Sequence, residues 1–583
     1  MFRKTEGQSS LFEARSLLSE PQKRRLEQSW AEPFREKVLP LLLEAEESFA
    51  VLYGEEGRPN YSVARMLGIS LLQEMEKLPD QQALDAFSFD RRWQHALAVS
   101  ADEAYVTRRT LVDFRGRVLR HPGDLIREVF DRVFEAAAED LKVSTSKQRL
   151  DSTLVTSAVY TRGRIGLARE TVRVFVRSLS ELDRQRIPEA VRAWGDKDPS
   201  RWDDEVSKAK RESTLHELGR WVQALLDAFS DRPDVSSGTS YQHLQRLAKE
   251  HGRELGLDDD GSPEEPPPSA EGDSQRRARN RRKAKKRRKN KGKRKASPKT
   301  KARFWSPHDP DASFGHKGFG YHVHVAETCG NERTELLTDY DVVTAALSDV
   351  GRALPAFERL SACDRAPDTL YADGGYSTPD QLLQFRERDA ELMAPIDRGP
   401  LAPSALSRMA FDVDADGLVR RCPAGHQPTR HDLRAGRRGQ PPSLHAFFEA
   451  DTCRACPKRE DCPVRGPNNA KSFEFRIDMD PALVARDARW EEQKTDAFVR
   501  EYAIRSGVEG SISELKRGHG LGRLRVRGKP RVTLAVGLKV TACNIKRWLR
   551  QPTDTVAPPE VSAPAAAPKH PEIQDAYELP MAA

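Results

Sequence analysis

The sequence predicts an α+β chain of several domains: a helical N-terminal domain, then a mixed α/β core that two insertions interrupt. Three observations carry that reading. Apolar residues recur at three- and four-residue spacing over about 21–138. Strand-like alternation first appears near 143–156 and returns only after 304. Between the two stretches the composition breaks, first into an acidic, proline-rich run and then into a polycation. At 583 residues the chain is also too long for a single core.

Taken in order, residues 1–20 read as a flexible lead and 21–140 as the helical domain, marked by Val38-Leu41-Leu42, Leu67-Ile69-Leu72 and Leu125-Val129-Val133-Phe134. Residues 141–165 carry the first strand, around Arg149-Leu150-Asp151-Ser152-Thr153, and 166–254 form a helical insertion. The stretch 255–303 holds Asp258-Asp259-Asp260, then Pro266-Pro267-Pro268, then the basic run; it cannot bury a core and is expected to be disordered. Order resumes over 304–396, with strands at Tyr321-His322-Val323-His324-Val325, at 335–343, at Thr369-Leu370-Tyr371-Ala372 and at 391–396. A helix is expected at 354–362, and a second begins after Ser377 or Thr378, with Pro379 in its first turn and Gln381 in capping-box position. Residues 397–472 are loop-rich and hold four of the seven cysteines. Two helices, about 490–516 and 532–549, fill 473–550 before a Pro/Ala-rich tail at 551–583.

The net charge of +8 hides an uneven distribution. Residues 276–303 contain 18 Lys or Arg and no acid, and without them the chain would stand at −10. So concentrated a polycation, with Arg276, Arg277, Arg281, Arg282, Arg287 and Arg288 at its heart, is the footprint of a polyanionic partner such as a nucleic acid. The apolar stretches 38–43 and 532–540 fall well short of the roughly 18 residues a membrane span needs. No apolar signal core opens the chain. A soluble protein of the cytoplasm is therefore expected, where cysteines stay reduced and bind metal more readily than they pair.

Two carboxylate positions stand out. Asp373 ends an apolar strand and is followed by two glycines, which leave room for a ligand to approach, although Asp-Gly is also ordinary turn punctuation. The second position lies in the pattern Tyr502-x2-Arg505-x3-Glu509-x6-Lys516. On one helix, at about 100° per residue, these side chains fall at about 0°, 300°, 340° and 320°. A stripe of one carboxylate, two cations and a phenol is no packing face, and an i, i+4 pair explains only Arg505 and Glu509. Glu514 falls at about 120°, on the other side.

The Tyr-Arg-Glu-Lys stripe resembles the signature of bacterial insertion-sequence transposases with a ribonuclease-H-like DDE domain. Arg149-Leu150-Asp151-Ser152-Thr153 resembles that family's first-aspartate strand, and Tyr371-Ala372-Asp373-Gly374-Gly375-Tyr376 its second. Residues 61–120 resemble the helical domain that precedes such cores. The resemblance implies an α/β/α catalytic core in which Asp151 lies on the central strand, Asp373 ends the fourth and Glu509 comes from a helix packed on the sheet. It also implies that the helical block and basic linker loop out between the first two strands, an unusually long gap that leaves Asp183 and Asp196 as upstream alternatives to Asp151. Asp151, Asp373 and Glu509 would hold two Mg²⁺ (or Mn²⁺) ions. Such a pair, roughly 3.5–4 Å apart, activates the attacking hydroxide and steadies the leaving oxygen, and oxygen ligands suit these hard cations. Tyr502, Arg505 and Lys516 would meet DNA. By the same resemblance the partners are double-stranded DNA, at the element's terminal repeats and at the target, and a second copy in a synaptic dimer near the nucleoid. A derived DNA-binding protein without catalysis is the alternative, and a stand-alone nuclease of the same fold is a third reading.

Cys422, Cys453, Cys456 and Cys462 could supply four thiolates to one structural Zn²⁺: Cys453 and Cys456 have knuckle spacing, and His426 is a possible substitute. His308, His316, His322 and His324 lack partners at zinc-site spacing and read as core or solvated histidines.

Overall fold

The computed structural model describes residues 1–5, 18–159, 163–195, 206–257, 303–397, 406–414, 417–434, 442–466 and 474–550. The expectations placed on Arg276, Arg277, Arg281, Arg282, Arg287 and Arg288, on Asp196 and on the tail at 551–583 lie outside the described residues.

The helical N-terminal domain begins its three longest helices with a side chain that satisfies an amide left free at the helix start. Ser62 caps α1 (Val63–Glu76), Thr107 caps α2 (Arg108–Arg120) and Asp124 caps α3 (Leu125–Leu141). The periodic apolar residues of the sequence, among them Leu42, Leu67, Ile69, Leu125, Val129 and Val133, are buried in one cluster.

The chain then enters the sheet with β1 (Lys147–Val155) and leaves it at once. Helices α4 (Arg164–Ser178), α5 (Arg211–Phe229) and α6 (Thr239–Leu255) build a separate apolar core from Phe175, Val222, Phe229 and Leu244, to which Phe304 adds as the chain returns. Because that insertion packs on itself, it leaves the sheet beside β1 open for later strands.

Those strands are β2 (Ser313–Gly315), β3 (Gly318–Thr328), β4 (Leu337–Thr344), β5 (Thr369–Ala372) and β6 (Glu391–Met393). Long β3 pairs antiparallel with β2 and β4 on one side and with β1 on the other; β1 runs parallel to β5, and β5 to β6. The mixed sheet thus has β1 near its centre. Helix α7 (Ala353–Ala362) leads into β5, and α8 (Pro379–Arg386) follows it, with Thr378 as its cap.

The cysteine-containing stretch has more structure than its composition promised. Strands β7 (Arg430–Arg434), β8 (Ser443–Glu449) and β9 (Glu474–Met479) form an antiparallel sheet over Phe411, Val419, Phe448, Phe475 and Ile477. Strand β9 carries this lobe past residue 472, where the sequence reading ended it.

The C-terminal helices are α9 (Pro481–Glu492), α10 (Asp496–Tyr502), α11 (Gly507–Gly518) and α12 (Lys529–Leu549). The single helix expected over 490–516 is therefore broken, with a 3₁₀ turn at Ala503–Ser506. Helix α12 is buried on two sides: Leu538, Ala542 and Ile545 join the N-terminal core, whereas Val532, Val536 and Val540 join the sheet core. It stitches the two domains together, and Gly537 lets it in, since a Cβ there would stand 2.6 Å from the Tyr340 hydroxyl.

Candidate active site

Sheet register brings the two aspartates together. Leu150 of β1 sits opposite Ala372 of β5 in a parallel pair, so Asp151 and Asp373 are the next residues on adjacent strands, although 222 positions separate them in the chain. Neighbouring strands lie about 4.8 Å apart. Asp151 Oδ1 accepts the amide N–H of Ser152 at 2.7 Å, and Asp373 Oδ1 accepts that of Gly375 at 2.7 Å. The second turn explains a glycine: a Cβ on Gly375 would meet that same Asp373 oxygen at 2.9 Å.

The third carboxylate arrives on α11, and the broken helix is what delivers it. Arg149, two residues before Asp151 on β1, donates from Nη1 to the carbonyl of Ile504 at 2.9 Å and from Nε to buried Glu327 at 2.7 Å. Its guanidinium lies so close to the start of α11 that a Cβ on Gly507 would stand 1.9 Å from Nη1. The 3₁₀ turn thus docks on β1 through Arg149, and Glu509 follows in the first turn of α11.

Arg505, inside that turn, joins all three acids. Its Nη2 lies 2.7 Å from Asp151 Oδ2 and 3.9 Å from Asp373 Oδ2, and its Nη1 lies 3.2 Å from Glu509 Oε1. Side-chain exposure climbs from 12% at Asp151 through 38% at Asp373 to 68% at Glu509, so the cluster is a cleft with a buried floor and an open rim. Burial pushes the Asp151 carboxyl above its ordinary value; Arg505 and the Ser152 amide pull the other way, and the charge of Asp373 adds to the rise. Three carboxylates against one guanidinium leave an excess of negative charge on oxygen donors, the donor chemistry that hard divalent cations select.

The other residues of the stripe divide. Tyr502, read from sequence as a DNA contact, gives its hydroxyl to the Ala372 carbonyl at 3.0 Å and stacks on Phe498 at 5.5 Å; it braces the strand end that carries Asp373. Lys516 is exposed. Glu514 lies on the far side, bonded to Arg547 at 2.8 and 3.0 Å, as its helical offset required. Asp183 belongs to the separate helical insertion, where it pairs with Arg232, away from the three acids.

Sequence reasoning missed the residues behind the two aspartates. Lys317 donates to the Ser152 carbonyl at 3.1 Å, to its hydroxyl at 2.7 Å and to Asp349 at 3.2 Å, and Ser152 donates to Asp349 at 2.9 Å. Buried His324 accepts this neighbourhood as a neutral ring, its pKa pushed down to about 4 by burial, and its Nδ1 lies 2.7 Å from the Tyr376 hydroxyl. No local pattern marks Lys317 or Asp349, which only the sheet brings to Ser152.

In the cysteine lobe, Cys422, Cys453 and Cys462 pack against one apolar cluster. Burial, then the neighbouring Cys462 and Cys422, push the Cys453 thiol up to about 11. Among the described residues the ligand atoms that come within 4.8 Å of one another as a trio belong to Glu514, His519 and Cys543, not to this quartet. Glu514 is already committed to Arg547.

Two family models match parts of the chain. A family model described as a transposase DDE domain matches residues 421–549, and one described as a transposase domain (DUF772) matches residues 25–117. Two parts of the chain thus match transposase domains, and these matches support an insertion-sequence transposase. The DDE match spans most of the cysteine lobe and the C-terminal helices that bear Tyr502, Arg505 and Glu509, and contains neither Asp151 nor Asp373; the second match spans most of the helical N-terminal domain. A transposase DDE domain implies a ribonuclease-H-like fold, a divalent metal and a DNA substrate. No curated protein and no solved structure matches this chain. Among its described residues no helix is long and apolar enough to cross a membrane.

Proposed function

We propose that this chain binds the terminal inverted repeats of a mobile element, cleaves a DNA strand there and joins the freed 3′ end to target DNA, as a dimer in the synaptic complex. The observation that carries the reading is the convergence of Asp151, Asp373 and Glu509 on the single guanidinium of Arg505, within 3.9 Å.

Asp151, Asp373 and Glu509 are the residues to hold two divalent ions, Mg²⁺ or Mn²⁺, which when bound supply an activated hydroxide and a counter-charge for the leaving oxygen. The protein's own part is positioning. Register fixes the two aspartates side by side, Arg149 fixes the turn that presents Glu509, and Tyr502 braces the end of β5. Arg505 offers a planar fork suited to a phosphate oxygen pair, and exposed Lys516 offers a second charge along the same helix. Arg276, Arg277, Arg281, Arg282, Arg287 and Arg288 supply sequence-independent attraction to the duplex and hold the protein to the nucleoid.

The test is strand cleavage by the purified chain on linear DNA bearing the inverted repeats that flank its gene. Mg²⁺-dependent nicking at the repeat boundary, absent in Asp373→Asn, is the expected result. Specific binding to the repeats with no cleavage in Mg²⁺ or Mn²⁺ would overturn it in favour of a DNA-binding protein without catalysis.

A further inference from the structure

Where the end of α1 meets α11 and α12, a cavity of about 610 Å³ opens between the N-terminal domain and the C-terminal helices. Pockets that hold ligands measure roughly 300–1,000 Å³. Trp30, Met75 and Leu549 give it an apolar wall, and Lys77, Lys546 and Arg550 give it a basic rim. Glu76 is the one acid among the lining residues, so positive charge is in excess.

The joint around the cavity is held. Lys77, which ends α1 in the left-handed conformation at φ +59°, donates to the Arg517 carbonyl at 3.2 Å. Lys546 donates to the Met75 carbonyl at 3.3 Å. Among the described residues none of the three rim cations is in an ion pair, and two of them are spent on carbonyl oxygens. An apolar wall under uncompensated cations suits a ligand that is itself apolar and acidic.

Such a ligand lies in the chain's own sequence. Helix α12 ends at Leu549, and Arg550 on the rim is the last described residue. Residues 551–583 follow, with five acids and one lysine in a chain whose net charge is +8. Their content is uneven. Residues 551–571 hold six prolines, whereas 572–581 hold Glu572, Asp575 and Glu578 beside Ile573, Tyr577 and Leu579, with no Lys or Arg.

We propose that residues 572–581 dock in this cavity of their own chain, apolar side chains on Trp30, Met75 and Leu549 and acids toward Lys77, Lys546 and Arg550. The tether, 551–571, is 21 residues long and starts at the rim, so the segment has only to fold back on its own origin. Short tethers raise the effective concentration to the order of 1 mM, and a contact with a Kd of about 0.1 mM is then occupied about ten to one. The same segment of a second copy, at micromolar concentration, loses that competition. The polycation at 276–303 would attract the acids but has no apolar residue beyond scattered alanines to receive Ile573 and Tyr577. Docked, the segment bridges α1, α11 and α12 and braces the joint between the two matched domains, whether or not the three acids cut DNA.

The experiment uses the full chain with the photoreactive p-benzoylphenylalanine in place of Tyr577, irradiated and then mapped by mass spectrometry. Cross-links are expected in the peptides that contain Trp30, Met75 or Leu549. In an equal mixture of ordinary and isotope-labelled chains they stay within one isotope. Ile573→Asp with Leu579→Asp, which touches no residue of the described fold, lowers the yield roughly fivefold or more, and so does Lys546→Glu with Arg550→Glu. Reversing the tail acids to Lys in that second variant restores the yield, which a misfolded rim could not do. Raising salt from about 0.1 to 1 M weakens the wild-type cross-link, since the rim is exposed to screening. Cross-links confined to 276–303, cross-links between isotopes, or a yield that Ile573→Asp with Leu579→Asp leaves unchanged overturn the proposal.

Discussion

Arg505 Nη2 donates to Asp151 Oδ2 at 2.7 Å, and the same guanidinium reaches Asp373 and Glu509. A fixed cation is thus the partner that three converging carboxylates share. At the proposed metal site it would occupy oxygens that a divalent ion needs, so the arginine and the ion would compete for them. Arg505→Gln removes the competitor and leaves the acids uncompensated. Mn²⁺ is expected to bind this variant on the order of tenfold more tightly in the absence of DNA, because opposed charges at such range interact strongly in a partly buried site. Cleavage falls in the same variant, since the phosphate fork is lost. Titration calorimetry with Mn²⁺ checks the point, and equal or weaker binding by Arg505→Gln would dismiss the competition.

Asp151→Ala, Asp373→Ala and Glu509→Ala are each expected to abolish cleavage yet leave binding to the repeats largely intact. Glu514→Ala behaves in the opposite way. Its partner Arg547 would lose a bond at 2.8 Å in a half-buried setting, which costs about 1–3 kcal/mol of stability while cleavage per folded molecule persists. Urea melts beside cleavage rates separate the two classes, and a dead but stable Glu514→Ala would reassign the third carboxylate.

Buried His519 joins the two matched domains, with Nδ1 at 3.0 Å from the Glu74 carbonyl. Burial lowers its pKa from an ordinary 6.5 to about 4, and Lys539 and Lys546 nearby oppose its protonation more than Glu514 favours it. Because the folded value is depressed, this contribution to stability is fully present above about pH 6.5 and is lost as pH falls toward about 4, on the order of 3 kcal/mol across the window. His519→Gln keeps a neutral donor and should flatten that part of the acid limb. Urea unfolding of both proteins between about pH 7 and pH 4.5 measures the difference; parallel limbs would mean that His519 does not carry it.

Zinc is expected in the cysteine lobe at about one ion per chain, held by Cys422, Cys453, Cys456 and Cys462, because closed four-ligand sites are structural. The lobe has apolar residues of its own, so chelation should loosen the Cys453–Cys462 turn and leave β7–β9 paired, a milder outcome than the composition alone suggested. Added Zn²⁺ should not replace Mg²⁺ in cleavage. Elemental analysis decides the matter: protein prepared without chelators that holds no zinc, with Cys453→Ser indistinguishable from wild type, leaves four ordinary thiols.

Removal of residues 276–303 should weaken binding to all duplexes alike and reduce the steepness of its salt dependence, since phosphate contacts release counterions whatever the sequence. Selection of the repeats should survive. A collapse in selectivity at unchanged affinity for random DNA would show instead that the run reads bases.

Local pattern by itself settled much of this protein. Apolar periodicity marked α1 and α3, the alternation around Asp151 marked β1, and Thr378-Pro379 marked the start of α8, because each depends on residues a few positions apart. The offsets from Tyr502 to Lys516 put Glu509 and Glu514 on different sides, and they lie against different arginines, although the helix is broken at Ala503–Ser506. What only the tertiary structure decided depends on partners far apart in the chain. At the break Arg149, more than 350 positions earlier, donates to the Ile504 carbonyl. The Tyr502 hydroxyl is held by a strand end 130 positions away, so its place in the stripe could not show that it points at Ala372. Helix α12 looked like one more amphipathic helix, yet it is buried on two sides because two domains close around it. Lys317 and Asp349 carry no motif; only when β1, β3 and the turn beyond β5 come together do they line one cavity beside Asp373. Periodicity and spacing act through the backbone over short range, whereas a candidate site of this kind is assembled by sheet register, which no single segment contains.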